Sequence, residues 1–280
     1  MIYLVIIMVL ILLIIDAGII EPNRLLIKKH VIYTDVKQPI RIVHLSDLHI
    51  HRHFSRTRLL RLIVKVNRLQ PDFIVFTGDL IDHYEKSKQL RYILPLYLQA
   101  FHAKTAKLAI YGNHDVGGGA KYVYRALMNE GGFQVLRNDR VIFAQAGVAF
   151  FGIDDWLTGY EDRRITEARL QPVQILLAHE PDFIDVLHMD EITMMLSGHT
   201  HGGQIRLPLL TKYHLPKGGK HYPRGVYLIA NTFLSVSSGI GTTGVPFRLA
   251  CPSELIFYEL QPNKNNESQN SCISIHAHVQ

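Results

Sequence analysis

An α/β fold is what this sequence predicts, and three observations carry the reading. Between residues 40 and 260, short runs rich in Ile, Val, Leu, Phe and Tyr alternate with stretches of helical periodicity. Five of those runs end abruptly in polar tips made of Asp, Asn and His. Ahead of the alternation lies an uncharged apolar segment, residues 1–15, whose apolar character continues past Asp16 to Ile20. Strands alternating with helices imply a largely parallel sheet covered on both faces.

Taken in order, residues 1–20 are expected to form a membrane-spanning helix, since about twenty apolar residues suffice to cross a bilayer. A cleaved export signal would begin with a basic segment and end in small residues around a cutting site, and neither feature is obvious here; a cleaved signal or a helix lying on the interface is the alternative to an uncleaved anchor. Basic residues follow instead, at Arg24, Lys28, Lys29, Lys37 and Arg41, which predicts a single-pass anchor with the catalytic domain on the cytoplasmic face. Residues 21–39, bounded by Pro22 and Pro39, read as a juxtamembrane connector. The main domain occupies 40–260, with strands expected at 40–45, 73–77, 107–111, 148–153, 174–178, 192–196, 226–230 and 254–260. Helices are expected over 56–69, where Leu59, Leu62, Val66 and Leu69 recur at helical spacing, and over 121–130, stopped by Gly131 and Gly132. Residues 261–280 are polar and Asn/Ser-rich and read as a disordered tail.

Composition narrows the class less than the motifs do. The 48% hydrophobic and 19% charged content is that of a globular protein with some additional apolar sequence. A net charge of +6, with sixteen histidines counted neutral, suits an anionic partner without choosing among lipid, nucleotide and nucleic acid. Cys251 and Cys272 show no C-x-x-C spacing, so a zinc–thiolate site is not indicated.

The chemistry resides in the strand tips. They read Ser46-Asp47-Leu48-His49, Thr77-Gly78-Asp79, Gly112-Asn113-His114-Asp115, Ala178-His179-Glu180 and Gly198-His199-Thr200-His201-Gly202-Gly203. Ligands of open α/β sheets bind beyond the carboxyl ends of the strands, so five such tips would converge. Asp47, His49, Asp79, Asn113, His179, His199 and His201 offer oxygen and imidazole nitrogen with no thiolate, a donor set suited to Mn, Fe or Zn rather than to Mg or Ca. Seven donors exceed one tetrahedral ion and fit two ions sharing a carboxylate, with positions left for water and substrate. Each motif alone recurs by coincidence; the five in this order, each at a strand tip, form a specific signal.

That order, D-x-H, G-D, G-N-H-D, H and G-H-x-H, resembles the calcineurin-like metallophosphoesterase superfamily. The Glu21-Pro22 connector, the continuation from Gly198 through Gln204-Ile205-Arg206-Leu207-Pro208, and the stretch Gly239 to Arg248 resemble its bacterial membrane-associated branch, which includes phosphodiesterases and a UDP-2,3-diacylglucosamine pyrophosphatase. The resemblance implies a two-sheet β-sandwich flanked by helices. It also implies that Asp47, His49 and His201 hold one divalent ion, that Asn113, His179 and His199 hold a second, and that Asp79 bridges them, with manganese the expected metal. A hydroxide between ions about 3.5–4 Å apart would attack phosphorus in line. His114 would act as general acid or electrostatic stabiliser, with Asp115 positioning its ring. The implied substrate is a phosphodiester or pyrophosphate, with a lipid-linked nucleotide as one form. Other readings are a nuclease or cyclic-nucleotide phosphodiesterase, for which no aromatic-basic module is evident and a nucleic-acid partner is not expected, and a non-catalytic scaffold, which the intact donor set opposes.

Several features are assigned plainer roles. His44, inside an apolar strand, is read as a core histidine turned away from the tip. His51 and His53 depart from the small or polar residues commoner there in the family and are read as solvent-facing, with substrate contact the alternative. Gly117-Gly118-Gly119 lacks the Lys-Ser/Thr of a phosphate loop and is read as a helix entry. Asp154-Asp155 is read as a turn, and His276/His278 as part of the tail. Arg58, Arg61, Lys65 and Arg68 form a basic stripe that is either a solvated helix face or a contact with an anionic membrane.

Overall fold

The computed structural model describes residues 2–51, 55–187, 191–263 and 275–279. Helix α1 (Ile2–Ile15) has no buried residue. It continues through a wider turn, Asp16–Ile20, into the short Glu21–Asn23 segment. The whole run, Ile2–Asn23, is long and apolar enough to cross a membrane, a signature that an anchor shares with an export signal. Its far end is tied to the domain. The Glu21 carboxylate accepts the backbone N–H groups of Ala250, at 2.9 Å, and Cys251, and Arg248 N donates to Ala17 O at 2.8 Å.

Thirteen strands follow among the described residues: β1 (Leu25–Thr34), β2 (Ile40–Leu45), β3 (Phe73–Phe76), β4 (Ala106–Ala109), β5 (Gln134–Val135), β6 (Asp139–Phe143), β7 (Val148–Gly152), β8 (Val173–Leu177), β9 (Met194–Ser197), β10 (Gly225–Ile229), β11 (Thr232–Val236), β12 (Ser253–Pro262) and β13 (Ile275–Val279). They form two sheets, ordered β13-β1-β12-β2-β3-β4-β5 and β10-β11-β9-β8-β7-β6. The two-sheet sandwich that the resemblance implies is therefore present, where strand–helix alternation alone suggests one largely parallel sheet. Each sheet keeps a parallel centre, β2 to β5 in one and β11-β9-β8-β7 in the other. Antiparallel pairings join β13 to β1 and β12 to β2 in the first sheet, and β10 to β11 and β6 to β7 at the two edges of the second.

Two expectations need correction. The connector contains β1, which pairs with β12 over ten residues and is held there partly by Lys28–Glu254 at 2.5 Å. The adjacent lysines at 28 and 29 obscure a strand's alternation in the sequence. The tail, read as disordered, contains β13, antiparallel to β1; its Ile-His-Ala-His-Val pattern has the period of two that an edge strand requires. Strand β11, beyond the strands expected from the sequence, follows β10 after a two-residue turn at Ala230 and Asn231, where Ala230 takes φ +50°.

Helix α2 (Arg56–Arg68) is capped by Ser55 and buries Leu59, Leu62, Ile63 and Val66. Helices α3 (Leu94–Gln99) and α4 (Tyr124–Glu130) cover the same sheet; α4 begins three residues later than expected, because residues 121–123 form a turn after the wide turn Val116–Ala120. The basic stripe is divided. Arg58 donates to Ile240 O and Ser253 Oγ, and Lys65 to Leu25 O, while Arg61 and Arg68 stay exposed. Between the sheets, Ile42, Val75, Phe150, Ile175, Leu196 and Phe233 share one core. A buried polar chain crosses it: Tyr258 Oη donates to Ser235 Oγ at 2.7 Å, His44 lies 3.3 Å from Tyr258 Oη and 2.8 Å from Thr77 Oγ1, and Thr77 donates to Ser46. His44 is therefore a satisfied core histidine.

Candidate metal centre

The parallel centres of the two sheets bring their carboxyl ends together at one end of the sandwich. From the first sheet, β2 delivers Asp47 and His49, β3 delivers Asp79, and the segment after β4 delivers Asn113 and His114. From the second, β8 delivers His179 and β9 delivers His199 and His201. Backbone bonds lace the tips together: Asp47 N to Gly78 O and His49 N to Asp79 O, both 3.0 Å, and Gly198 N to His179 O at 3.1 Å.

Asp47, His49, Asp79, His199 and His201 all have positive φ, between +44° and +71°. Such a conformation is uncommon outside glycine, and strain of this kind clusters where the surroundings require a particular side-chain aim. Two glycines leave room for the carboxylates. A Cβ on Gly112 would strike Asp79 Oδ1, and one on Gly198 would strike Ser46 Oγ and Asp47 Oδ2.

The seven side chains expected as ligands converge. His49 Nε2 and His201 Nε2 lie 2.9 Å apart, and Asp47 Oδ1 is 4.0 Å from the first and 3.7 Å from the second. Asp79 Oδ2 stands between the two halves, 3.4 Å from His49 Nε2 and 3.3 Å from His179 Nε2. On the far side, Asn113 Oδ1 is 3.2 Å from His179 Nε2 and 2.9 Å from His199 Nδ1. Buried carboxylates and imidazole nitrogens facing one another at these separations form clusters able to hold metal ions, consistent with a two-metal site.

The four rings of the centre are shifted in opposite directions: burial acts to lower His179 and His49, but the carboxylates beside them, Asp79 for His179 and Asp82 for His49, raise both. Burial pushes the Asp47 carboxyl up, with Asp79 adding to the rise and His179 opposing it. Burial also acts to raise Asp79, yet the imidazoles of His179, His49 and His114 outweigh it and hold Asp79 well below the usual carboxylate range. Burial lowers His199 to about 4 and, helped by His49 and Arg248, holds His201 well below its ordinary value. Both rings are neutral near pH 7, the form in which imidazole ligates a cation.

One expected role moves to another residue. Asp115 does not orient His114: its carboxylate accepts the backbone N–H groups of Asp79, Leu80, Ile81 and Gly112 at 2.7 to 3.3 Å. Adjacent residues in the short turn Asn113–Asp115 point apart, so Asp115 shapes the loop bearing Asp79. The His114 ring faces Asp82, with Nδ1 3.1 Å from Asp82 O and 3.4 Å from Asp82 Oδ1. Asp82, three residues beyond Gly78-Asp79, was not singled out from the sequence; nor was Arg248. The guanidinium of Arg248 is fully buried, donates to the carbonyls of Ser238, Gly239, Gly241 and Cys251, and lies 3.5 Å from His201 Nδ1.

The centre opens into a cleft of about 420 Å³. Asp79, Asn113, His114, His199 and His201 line its floor, and Ile205, Leu207, Leu210, Pro216 and Val245 contribute apolar walls. His51 is half-buried at the edge of a neighbouring hollow with Asp82 and His83; His53 and Cys272 lie outside the described residues. Asp154 and Asp155 are turn carboxylates that accept the N–H groups of Tyr160 and Thr158. Cys251 is a buried free thiol.

The profile of the calcineurin-like phosphoesterases matches residues 40–203. The uncharacterized metallophosphoesterase YkuE of Bacillus subtilis (strain 168) is 35% identical over 88% of this chain and 88% of its own length. Phosphodiesterase YaeI of Escherichia coli (strain K12) is 28% identical over 81% of this chain and 84% of its own. Among solved structures, GAP50, the anchor in the inner membrane complex of Plasmodium, aligns with a TM-score of 0.46 and 11% identity, over 86% of this chain and 81% of that one.

Proposed function

This chain belongs to the calcineurin-like phosphoesterase family and is a metal-dependent phosphoesterase; we propose that it hydrolyses a phosphodiester or pyrophosphate carried on a membrane lipid, a lipid-linked nucleotide being one such substrate. The observation that carries the reading is the placement of Asp79 between two imidazole-rich halves, on the floor of a cleft whose walls are apolar. Asp47, His49 and His201 would hold one divalent cation and Asn113, His179 and His199 the second, with Asp79 shared. When bound, such a pair supplies positive charge to the phosphoryl oxygens and makes water acidic enough to serve as nucleophile at neutral pH.

The chain's own residues supply the rest. His114 N donates to Asp79 Oδ1 at 2.8 Å, fixing the shared carboxylate. The His114 ring lines the cleft, where it can give a proton to the departing oxygen, and Asp82 holds its Nδ1 side so that Nε2 is the group presented. The apolar walls favour a substrate with a hydrocarbon part beside its phosphate. The exposed apolar helix Ile2–Asn23 supports placing the enzyme at a membrane as a single-pass protein.

Phosphorus NMR of membrane lipid extract, incubated with manganese-loaded full-length protein beside a chelated control, tests the proposal. Metal-dependent loss of a pyrophosphate or diester signal, with a phosphomonoester appearing, is the expected result. An unchanged lipid spectrum, together with metal-dependent cleavage of oligonucleotides or cyclic nucleotides, would replace the lipid reading with the nuclease or cyclic-nucleotide one.

A further inference from the structure

From Ile192 to Ser253 the chain contains no Asp or Glu, but it carries Arg206, Lys212, Lys217, Lys220, Arg224 and Arg248. Two loops in this acid-free stretch border the cleft, and both expose large apolar side chains. The first presents Leu207, Leu209, Leu210 and Tyr213, with Leu209 85% and Tyr213 73% exposed. The second presents Val245 and Phe247. Arg206 precedes the first group and Lys212 lies within it, its ammonium 5.1 Å from the Tyr213 ring centroid. Apolar tips, a tyrosine and lysine or arginine without intervening carboxylates are what a protein presents to an anionic lipid surface.

The position of these loops relative to α1 is fixed by backbone bonds. Arg206 N donates to Leu249 O and Leu249 N to Gln204 O, at 2.9 and 3.0 Å, so the first loop is stitched to the second. The second is stitched to the apolar helix by Arg248 N to Ala17 O. At Gly18, a Cβ would meet the Phe247 ring at 2.8 Å, so the absence of a side chain there lets helix and loop touch. The exposed apolar rim is therefore continuous with the apolar surface of the helix.

We infer that the rim formed by residues 207–213 and 245–247 docks into the lipid bilayer that the N-terminal helix enters, so that the metal-bearing cleft opens at the lipid–water boundary. Leu207, Leu210 and Val245 belong to both the rim and the cleft wall, giving a hydrocarbon chain an apolar path from the bilayer to the phosphate site. The inference rests on the reading of a lipid-borne substrate for its purpose, but docking itself is measured without turnover.

The experiment uses the full chain in phosphatidylglycerol vesicles, with Trp156→Phe removing its one tryptophan and a reporter introduced by Leu209→Trp. Ile142→Trp, exposed on β6 at the sheet edge opposite β10, is the control. With bromine on the upper acyl carbons, the 209 reporter should lose about half of its fluorescence, as expected for a side chain seated in the interface, while the 142 reporter keeps its own. Equal, weak quenching at both positions in protein that resists carbonate extraction would overturn the docking. So would a 209 signal that shifts with protein concentration in lipid-free detergent, since a second copy would then cover the rim. In parallel, Leu209→Glu with Tyr213→Glu should slow hydrolysis of a vesicle-borne phosphodiester about tenfold, because unfavourable charge at the interface opposes seating. It should leave metal-dependent hydrolysis of bis(p-nitrophenyl) phosphate unchanged; loss of that soluble activity in the unaltered chain would be a failure of the phosphoesterase chemistry, not of the docking.

Discussion

Asp82 Oδ1 lies 3.4 Å from His114 Nδ1, and the same oxygen lies 3.3 Å from His49 Nδ1. One half-exposed carboxylate thus faces the rear nitrogens of two rings whose front nitrogens turn toward the metal centre and the cleft. The His49 imidazole, pulled upward by Asp82, Asp79 and Asp47 against the opposing effect of burial, depends on that contact. Carboxylates behind ligating histidines fix the ring orientation and raise its basicity.

Asp82→Asn should therefore lower kcat for a soluble phosphodiester by about 10- to 100-fold and weaken binding of one of the two manganese ions. Titration calorimetry and kinetics on the same preparation check it. A variant with ordinary metal affinity and ordinary kcat would remove Asp82 from the site's machinery.

Metal removal gives a second prediction. Buried, facing donors bind cations in the folded chain and not in the unfolded one, so metal at about 100 times its dissociation constant should add about 2.7 kcal/mol of stability. Thermal unfolding of the full chain in detergent, with manganese and with chelator, should show that difference. In Asp79→Asn the difference should shrink sharply, because the oxygen shared by both halves then carries no full charge. Equal melting temperatures for the unaltered chain in metal and in chelator would contradict a folded-state metal site.

Much of this centre was legible in the sequence because Asp47, Asp79, Asn113, His179 and His199 each follow closely on a parallel strand, where local pattern and function coincide. Asp82 was not, since nothing local says that it turns back beneath two rings from other strands. Arg248 reads as a surface charge in a Gly-rich loop, and its burial depends on carbonyls presented by two segments, the loop after β11 and the residues entering β12. Asp115 misled because sequence adjacency to His114 suggested contact. In the fold, Asp115 instead bonds the Asp79 loop. The two-sheet division was equally invisible to periodicity, as β7, β8 and β9 are uniformly buried runs with the same appearance as β2 and β3.

His44 gives a pH dependence of stability whose sign follows from its burial. Burial lowers its folded value from 6.5 to about 3, so between those values the unfolded chain binds the additional proton. Stability contributed by the neutral ring is complete above pH 6.5 and falls as pH drops toward 3, with a slope of about 1.4 kcal/mol per pH unit. His44→Gln, which keeps a polar group near Thr77 and Tyr258, should be less stable at pH 7.5 yet lose stability less steeply with acid. Chemical denaturation at several pH values, in chelator to exclude metal effects, checks the slopes. Parallel slopes would assign the acid sensitivity elsewhere.

Arg248 provides the last prediction. A guanidinium this deeply buried, lowered by desolvation, is held by the carbonyls of Ser238, Gly239, Gly241 and Cys251. Those carbonyls lie on the loop after β11 and on the segment entering β12, and Cys251 Sγ reaches His201 O at 3.2 Å. Removing the side chain with Arg248→Met leaves several buried acceptors without donors, at a cost of about 3 kcal/mol or more. It also removes the positive charge that helps to keep His201 neutral. The expected outcome is a lower melting temperature together with weaker binding of the ion assigned to Asp47, His49 and His201. Arg248→Lys keeps the charge but cannot fork to separated carbonyls, so it should restore more of the metal affinity than of the stability. Recovery of both in equal measure would mean that Arg248 acts on the centre only through the folding of its loop.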